Sequence, residues 1–370
     1  VDNLWHIFTD FYGGQYAPLA FLSYLVLYAG FGYDPFYFHM FSLLLHIGCV
    51  CLAWKLISSL LRVHGGVSEK QILYVNFITT LLFAVHPINV EAVAWISALK
   101  VLLYAFFYLL GLLCYLRYIR TSKIFYYVLT IGCFLCSFWG KEQAVTFPLA
   151  LLIVDWFTNR NMKNLEVWSE KMSFLIMAFF FGIITVLSQG KGPYEMIFPL
   201  YQRLLFGCFA LVEYITKSLL PVNLNFFYPF PIVLGEEPPL HYYLYPVVLL
   251  FLMGWIIAYR NNRYLVFGVL LFLVNLLFSI HLFNMSRHAI VADRYMYLSY
   301  VGIAFLIANG IWWLRKRLSY FKAALVFLFF YCFFLSVYTF HYTKKWENTT
   351  MVKKYTKEVL EKRLNGSNHL

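Results

Sequence analysis

The chain has 370 residues, of which 62% are hydrophobic, 21% aromatic and 12% charged, with a net charge of +12. A soluble domain carries roughly 25% charged residues, so this composition excludes a water-soluble core and points to an all-α polytopic membrane protein. The positive charge belongs to membrane topology rather than to nucleic acid, because cytoplasmic loops collect Lys and Arg.

The opening Val1-Asp2-Asn3, without Met and without a leading apolar run, reads as the start of a fragment with no signal peptide. Apolar runs predict about ten spans, at 37–61, 71–86, 99–118, 124–140, 143–158, 173–189, 241–259, 263–282, 296–314 and 322–342. If these alternate, five basic loops share the cytoplasmic side, among them those with Arg62 and Lys70, with Arg117, Arg120 and Lys123, and with Arg160, Lys163 and Lys171. Both chain ends then lie outside. Residues 18–33 are short and hold Gly30 and Gly32, and 203–221 carries Glu213 and Lys217; both read as interfacial or re-entrant helices on the outer face. The seven Cys fall inside apolar runs and read as packing residues. His39 and His46, seven residues apart, read as polar packing contacts rather than a metal pair. The tail 343–370 is polar and Lys-rich, with Trp346, Val352, Tyr355, Val359 and Leu360 roughly on one helical face.

Four polar stretches fall on the predicted outer face. In "FAVHPINVEAVAW", His86 and Pro87 end one span, and a short helix follows with Glu91, Trp95 and Lys100 near the membrane surface. That helix reads either as an interfacial anchor or as part of a site. In "FWGKEQAVTFP", Lys141 and Glu142 sit between two apolar runs, and ionisable groups at membrane depth are candidates for function. The third stretch, "NMSRHAIVADRYMYLSY", gathers Arg287, His288, Asp293, Arg294, Tyr295 and Tyr297. Arg on the outer side needs a partner; Asp293 neutralises one, and a phosphate suits the other, because guanidinium grips phosphate with two hydrogen bonds. The fourth, "LLPVNLNFFYPFP", is too rich in Pro for a regular helix and reads as a rigid aromatic wall including Tyr228. No phosphate loop, HExxH, GxSxG or metal-ligand spacing occurs, so neither a cofactor nor a divalent metal is indicated. Together these stretches suggest a site for an anionic, lipid-linked substrate at the outer leaflet.

"FAVHPINVEAVAWIS", "GKEQAVTFPLALLIVDW", "LLPVNLNFFYPFP" and "VADRYMYLSYVGI" resemble, in order and spacing, the transmembrane and tetratricopeptide-repeat-containing O-mannosyltransferases and their bacterial relatives. The resemblance covers nearly the whole chain and implies a GT-C-like fold. Residues 1–342 would be its transmembrane domain, lacking the first span and the first acidic outer loop, and 343–370 an amphipathic tail outside. The implied activity moves a mannose-like sugar from a polyprenyl or dolichyl phosphate to Ser or Thr hydroxyls of a protein acceptor, at the outer or lumenal face. It implies lipid-phosphate binding by Lys141, Arg287, His288 and Arg294, and a substrate lining of His86, Trp95, Lys100, Tyr228, Tyr295 and Tyr297. Glu91, Glu142 and Asp293 would support them, while the general base is expected upstream of Val1. Two departures stand out: the acidic loop is absent, and Val101 follows Lys100 where relatives carry Asp. They keep open an inactive subunit of a larger membrane complex; a transporter of lipid-linked precursors is the other alternative. The expected location is a bacterial inner membrane, or the endoplasmic reticulum in a eukaryote.

Overall fold

The computed structural model describes residues 2–11, 16–189, 198–281 and 289–367. Because lipid offers no hydrogen bonds, the chain satisfies its backbone in helices. In order these are α1 (Asp2–Thr9), α2 (Pro18–Phe31), α3 (Pro35–His64), α4 (Glu69–Val85), α5 (Val90–Ala94), α6 (Leu99–Thr121), α7 (Ile124–Gly140) and α8 (Phe147–Phe157). There follow α9 (Leu165–Gln189), α10 (Leu200–Leu219), α11 (Leu244–Ala258), α12 (Arg263–Leu276), α13 (Met296–Trp313), α14 (Leu318–Thr343) and α15 (Thr349–Ser367). Among the described residues the β content is one isolated antiparallel bridge, between Tyr228 and Val291. The protein is thus an all-α, multi-pass membrane protein.

Side chains set several helix starts. Asp34 accepts from Phe36 N at 3.0 Å, with Pro35 opening α3. Ser68 accepts from Gln71 N at 3.2 Å, and Asn262 from Tyr264 N and Leu265 N at 3.1 and 3.2 Å. Pro87 ends α4, because it has no N–H to extend the helix.

Among the described residues, six helical stretches are long and apolar enough to cross a membrane: Pro35–His64, Ile96–Thr121, Leu165–Ser188, Leu240–Ala258, Asp293–Lys316 and Leu318–Trp346. The pair Glu69–Val85 and Pro87–Ala94, bent by 51°, makes a seventh if it is one span. Ten spans were expected, and the difference lies in short elements. The run 143–158 becomes a 3-10 turn, Glu142–Thr146, followed by the 11-residue α8, about half of a bilayer's depth. The run 263–282 is helical only to Leu276, and Pro18–Phe31, Ile124–Gly140 and Arg263–Leu276 are apolar but short. Burial separates centre from rim: 61% of the Ile96–Thr121 window is inside the protein, against 6% for Leu240–Ala258. The α6 helix packs along α7 and α3, and α13 along α12 and α4. All seven Cys are free.

Small residues permit the tightest crossing. A Cβ on Gly302 would lie 2.6 Å from Gly268 O and 2.7 Å from Phe272 N, so α12 and α13 meet backbone to backbone. Gly302→Ala should therefore lower the melting temperature of the detergent-solubilised protein. Gly254→Ala, which meets nothing within 4 Å, should leave it unchanged or raise it; equal behaviour of the two variants would contradict this packing.

Candidate functional site

Helix breaks allow charges to gather at one end of the bundle. The first break follows α4. His86 closes that helix, its Nδ1 accepts from Ile88 N at 3.2 Å, and its buried ring lies 4.2 Å from that of Tyr300. The 3-10 turn Pro87–Asn89 then leads into α5, which carries Glu91. The second break separates α7 from α8, where Lys141 is extended (φ −160°, ψ 143°) and Glu142 starts a 3-10 turn. A third segment runs from Leu220 through Tyr228. The fourth is the 3-10 turn Asp293–Tyr295 that opens α13.

Glu91 is fully buried and ties the first break to the fourth. It accepts from Arg294 N at 2.7 Å and from Arg294 Nη1 at 2.5 Å. A buried carboxylate demands such a partner, because desolvation of a lone charge costs several kcal/mol. The guanidinium keeps 20% of its side chain exposed and lies over the rings of Trp95 and Tyr295, at 5.3 and 5.1 Å. Lys141, buried between its two helices, is 4.5 Å from the centre of the same Tyr295 ring. Lys100 interacts electrostatically with Glu142, Tyr295 and Arg294. Two cations from separate segments, Lys141 and Arg294, thus lie over one aromatic ring, with Lys100 of a third segment in electrostatic reach of it. The 3-10 turn after Lys141 is braced by Gln143, whose Nε2 donates to Ser279 Oγ at 2.7 Å.

Asp293 faces the other way and is also fully buried. It accepts from Tyr228 OH at 2.9 and 3.0 Å, from Lys217 Nζ at 3.3 Å and from Asn225 N at 3.3 Å. Lys217 also reaches Glu213 at 3.7 Å and lies 3.6 Å from the centre of the Tyr228 ring. Burial, and then the Asp293 carboxylate, push the Tyr228 phenol well above its ordinary value, so it stays a neutral donor. Ile290 N donates to Tyr228 O at 2.9 Å, which pins the approach to α13.

Several residues sit differently from their expected positions. Tyr228, expected in an exposed aromatic wall, lies beneath Asp293. Tyr297, expected to line substrate, is in the core; its hydroxyl is 2.7 Å from His46 Nδ1 and its ring packs edge-on against Phe83. The reason is position: Tyr297 is on α13, which packs along α4. Arg287 and His288 lie outside the described residues. Among the described residues no group of three or more His, Cys, Asp or Glu could hold a metal.

A second ionic cluster, at the other end of α6, was not anticipated. Lys171 and Asp155 are both fully buried and pair at 2.6 Å; Arg160 grips Glu170 with two bonds, at 2.7 and 3.0 Å. Tyr115 donates to Asp155 at 2.8 Å and accepts from Lys171. Arg160 and Lys171 looked like loop cations; the overlooked signal was Asp155 within the apolar "LLIVDW". Lys217 was likewise noticed only as a charge in 203–221, although Glu213 and Lys217 stand one helical turn apart.

The chain is similar to protein O-mannosyl-transferases of animals. It is 32% identical to the TMTC2 protein of Mus musculus over 179 residues, covering 44% of this chain and 20% of that protein. It is 31% identical to the TMTC4 protein of Homo sapiens over 167 residues, 40% of this chain and 22% of that one. With the Tmtc3 protein of Drosophila melanogaster it shares 28% over 172 residues, 41% and 18%. The matched stretch spans about a fifth of these relatives' length. No family model matches the chain, and no solved structure matches it.

The buried pair sets a stability test. Glu91→Ala should destabilise the protein by about 3–5 kcal/mol, because it strands the guanidinium. Adding Arg294→Ala should cost less than the sum of the two single changes. Strict additivity in thermal denaturation would mean that the two charges do not depend on each other.

Proposed function

We propose that this chain belongs with the TMTC protein O-mannosyl-transferases it resembles and is the membrane-embedded part of a glycosyltransferase. In this reading it moves a mannose-like sugar from a polyprenyl or dolichyl phosphate to Ser or Thr hydroxyls of a protein acceptor. The reaction runs at the outer or lumenal face, with residues 1–342 as the transmembrane domain and 343–370 as a tail on the same side. The names of the relatives supply the class of reaction. The observation that carries the reading to particular residues is the placing of Lys141 and Arg294 over the Tyr295 ring, with Lys100 in electrostatic reach of it.

The acceptor hydroxyl oxygen attacks the anomeric carbon of the sugar, its proton passes to a general base other than Glu91 and Asp293, and the bond from that carbon to the lipid phosphate breaks, the phosphate leaving with the electron pair. Negative charge grows on that phosphate as it leaves, and cations held in place beforehand stabilise it without reorganisation. Lys141 and Lys100 take this role, joined by the exposed part of Arg294. Tyr295 and Trp95 offer aromatic faces to the sugar or to the lipid. Glu91 and Asp293 do not act as base, because their oxygens are occupied by Arg294 and by Lys217, Tyr228 and Asn225. They hold the cations and the turn in register. Glu142, half-buried, offsets part of the charge of Lys100.

A second reading, an inactive subunit of a larger membrane complex, has one observation in its favour. Val101, where the resemblance leads one to expect Asp, is packed in the core next to Lys100. One assay separates the two: transfer of radiolabelled mannose from dolichyl phosphate to a Ser/Thr peptide by the full-length protein. Lys141→Met and Lys100→Met, checked for intact folding by size-exclusion chromatography, should each lower turnover by about 10²-fold. Full activity in both variants would reject the assigned site. No transfer by the unaltered protein, with a TMTC relative active in parallel, would favour the inactive subunit.

A further inference from the structure

We propose a second lipid contact, at the end of the bundle opposite the Glu91 cluster: a groove between α3 and α6 that holds the phosphate of an anionic phospholipid. Lys100 and Arg120 lie near the two ends of α6, about 30 Å apart at 1.5 Å per residue, so this groove is separate from the candidate transferase site. It has a volume of about 520 Å³. Four cations line it, Lys55 and Arg62 from α3 and Arg117 and Arg120 from α6, and no acidic side chain does. Leu52 and Leu113 contribute to its apolar walls, which Trp54 and Tyr126 also line.

Topology alone accounts for part of this charge. Arg120 lies in the last turn of α6, where a cation complements the helix dipole. Arg62 is met by Glu69 at 3.1 Å, in an exposed pair of little energetic weight. Lys55 is not explained in this way. It lies nine residues before the end of α3, about 13 Å along the axis, on a helix long and apolar enough to span. Among the described residues, Lys55, Arg117 and Arg120 form no ion pair with a carboxylate. A lysine at that depth extends its amine toward the interface, and Lys55 lines the same groove as the two arginines of α6. Three cations and leucine walls lining one groove match a phosphate that carries acyl chains: the charge meets the headgroup and the walls meet the tails. A free phosphate ion would use the charges and leave the apolar walls without an occupant.

The test uses the whole protein in detergent and native mass spectrometry, with dioctanoyl phosphatidylglycerol, dioctanoyl phosphatidylcholine and inorganic phosphate as probes. The glycerol lipid should be retained more tightly than the choline lipid. Arg117→Gln with Arg120→Gln should weaken it by about tenfold, as should Lys55→Gln with Arg117→Gln. Arg260→Gln with Lys316→Gln, a pair of cations outside the groove, should leave retention unchanged. All these groove positions are exposed, so folding is preserved and is checked by unchanged elution. Equal retention of the two lipids would overturn the proposal, as would equal loss in the control pair. Displacement of the glycerol lipid by equimolar inorganic phosphate would overturn the lipid assignment and leave a plain anion site.

Discussion

A carboxylate without water must have a cation, and the Glu91–Arg294 contact meets that need across 203 residues of sequence. It joins the bent break after α4 to the turn that opens α13, and so fixes the mouth of the bundle. Arg294 bonds through both its backbone N–H and its guanidinium, so the turn and the side chain are held together. Asp293, its neighbour, is held from the opposite side by Tyr228, Lys217 and Asn225. Two adjacent residues of one short turn therefore anchor two different walls. The tail helix α15 adds to the second wall: Tyr355 donates to Leu224 O at 3.1 Å and Thr356 to Asn225 Oδ1 at 3.2 Å.

The location of the charges follows from the solvent. Unpaired charge deep in hydrocarbon is expensive, so ionisable groups collect where helices stop and backbone turns aside. At one end of α6 the breaks bring together Lys100, Lys141 and Arg294 near an aromatic ring. At the other end Asp155, Arg160, Glu170 and Lys171 close on one another with Tyr115 and Tyr118. The second cluster consumes its charges internally and reads as a clamp between α6, α8 and α9. In the first, Lys100, Lys141 and Arg294 outnumber Glu91 and Glu142, whereas the second balances two cations against two carboxylates, and that excess of positive charge is why the transfer chemistry is assigned there.

Much of this was legible in the sequence, for physical reasons that differ by element. Apolar runs announce helices in lipid, and Pro87 and Lys141-Glu142 announce breaks, because neither a missing N–H nor an ion fits a continuous span. Partnership was less legible. Nothing in local spacing says that Glu91 meets Arg294 rather than Lys100, since such pairing is decided by which helices pack together. Tyr228 looked like a surface aromatic and proved to be a buried donor, because a proline-rich stretch conceals the direction in which it folds back. Lys171 looked like a loop cation because positive residues near a span are common, and only the buried Asp155 reveals its inward course. Span length misled as well: 143–158 reads as one apolar run, yet Gln143 and Thr146 favour a 3-10 turn before α8.

The central claim is that a lipid phosphate docks among Lys100, Lys141 and Arg294. A diazirine-bearing polyprenyl phosphate, photolysed with the membrane-embedded protein and followed by peptide mapping, tests it most directly. The account predicts label in the segments 86–100, 138–148 and 291–297, competed away by unlabelled polyprenyl phosphate. Competable label confined to the opposite end of α6, around Arg117 and Arg120, would contradict it.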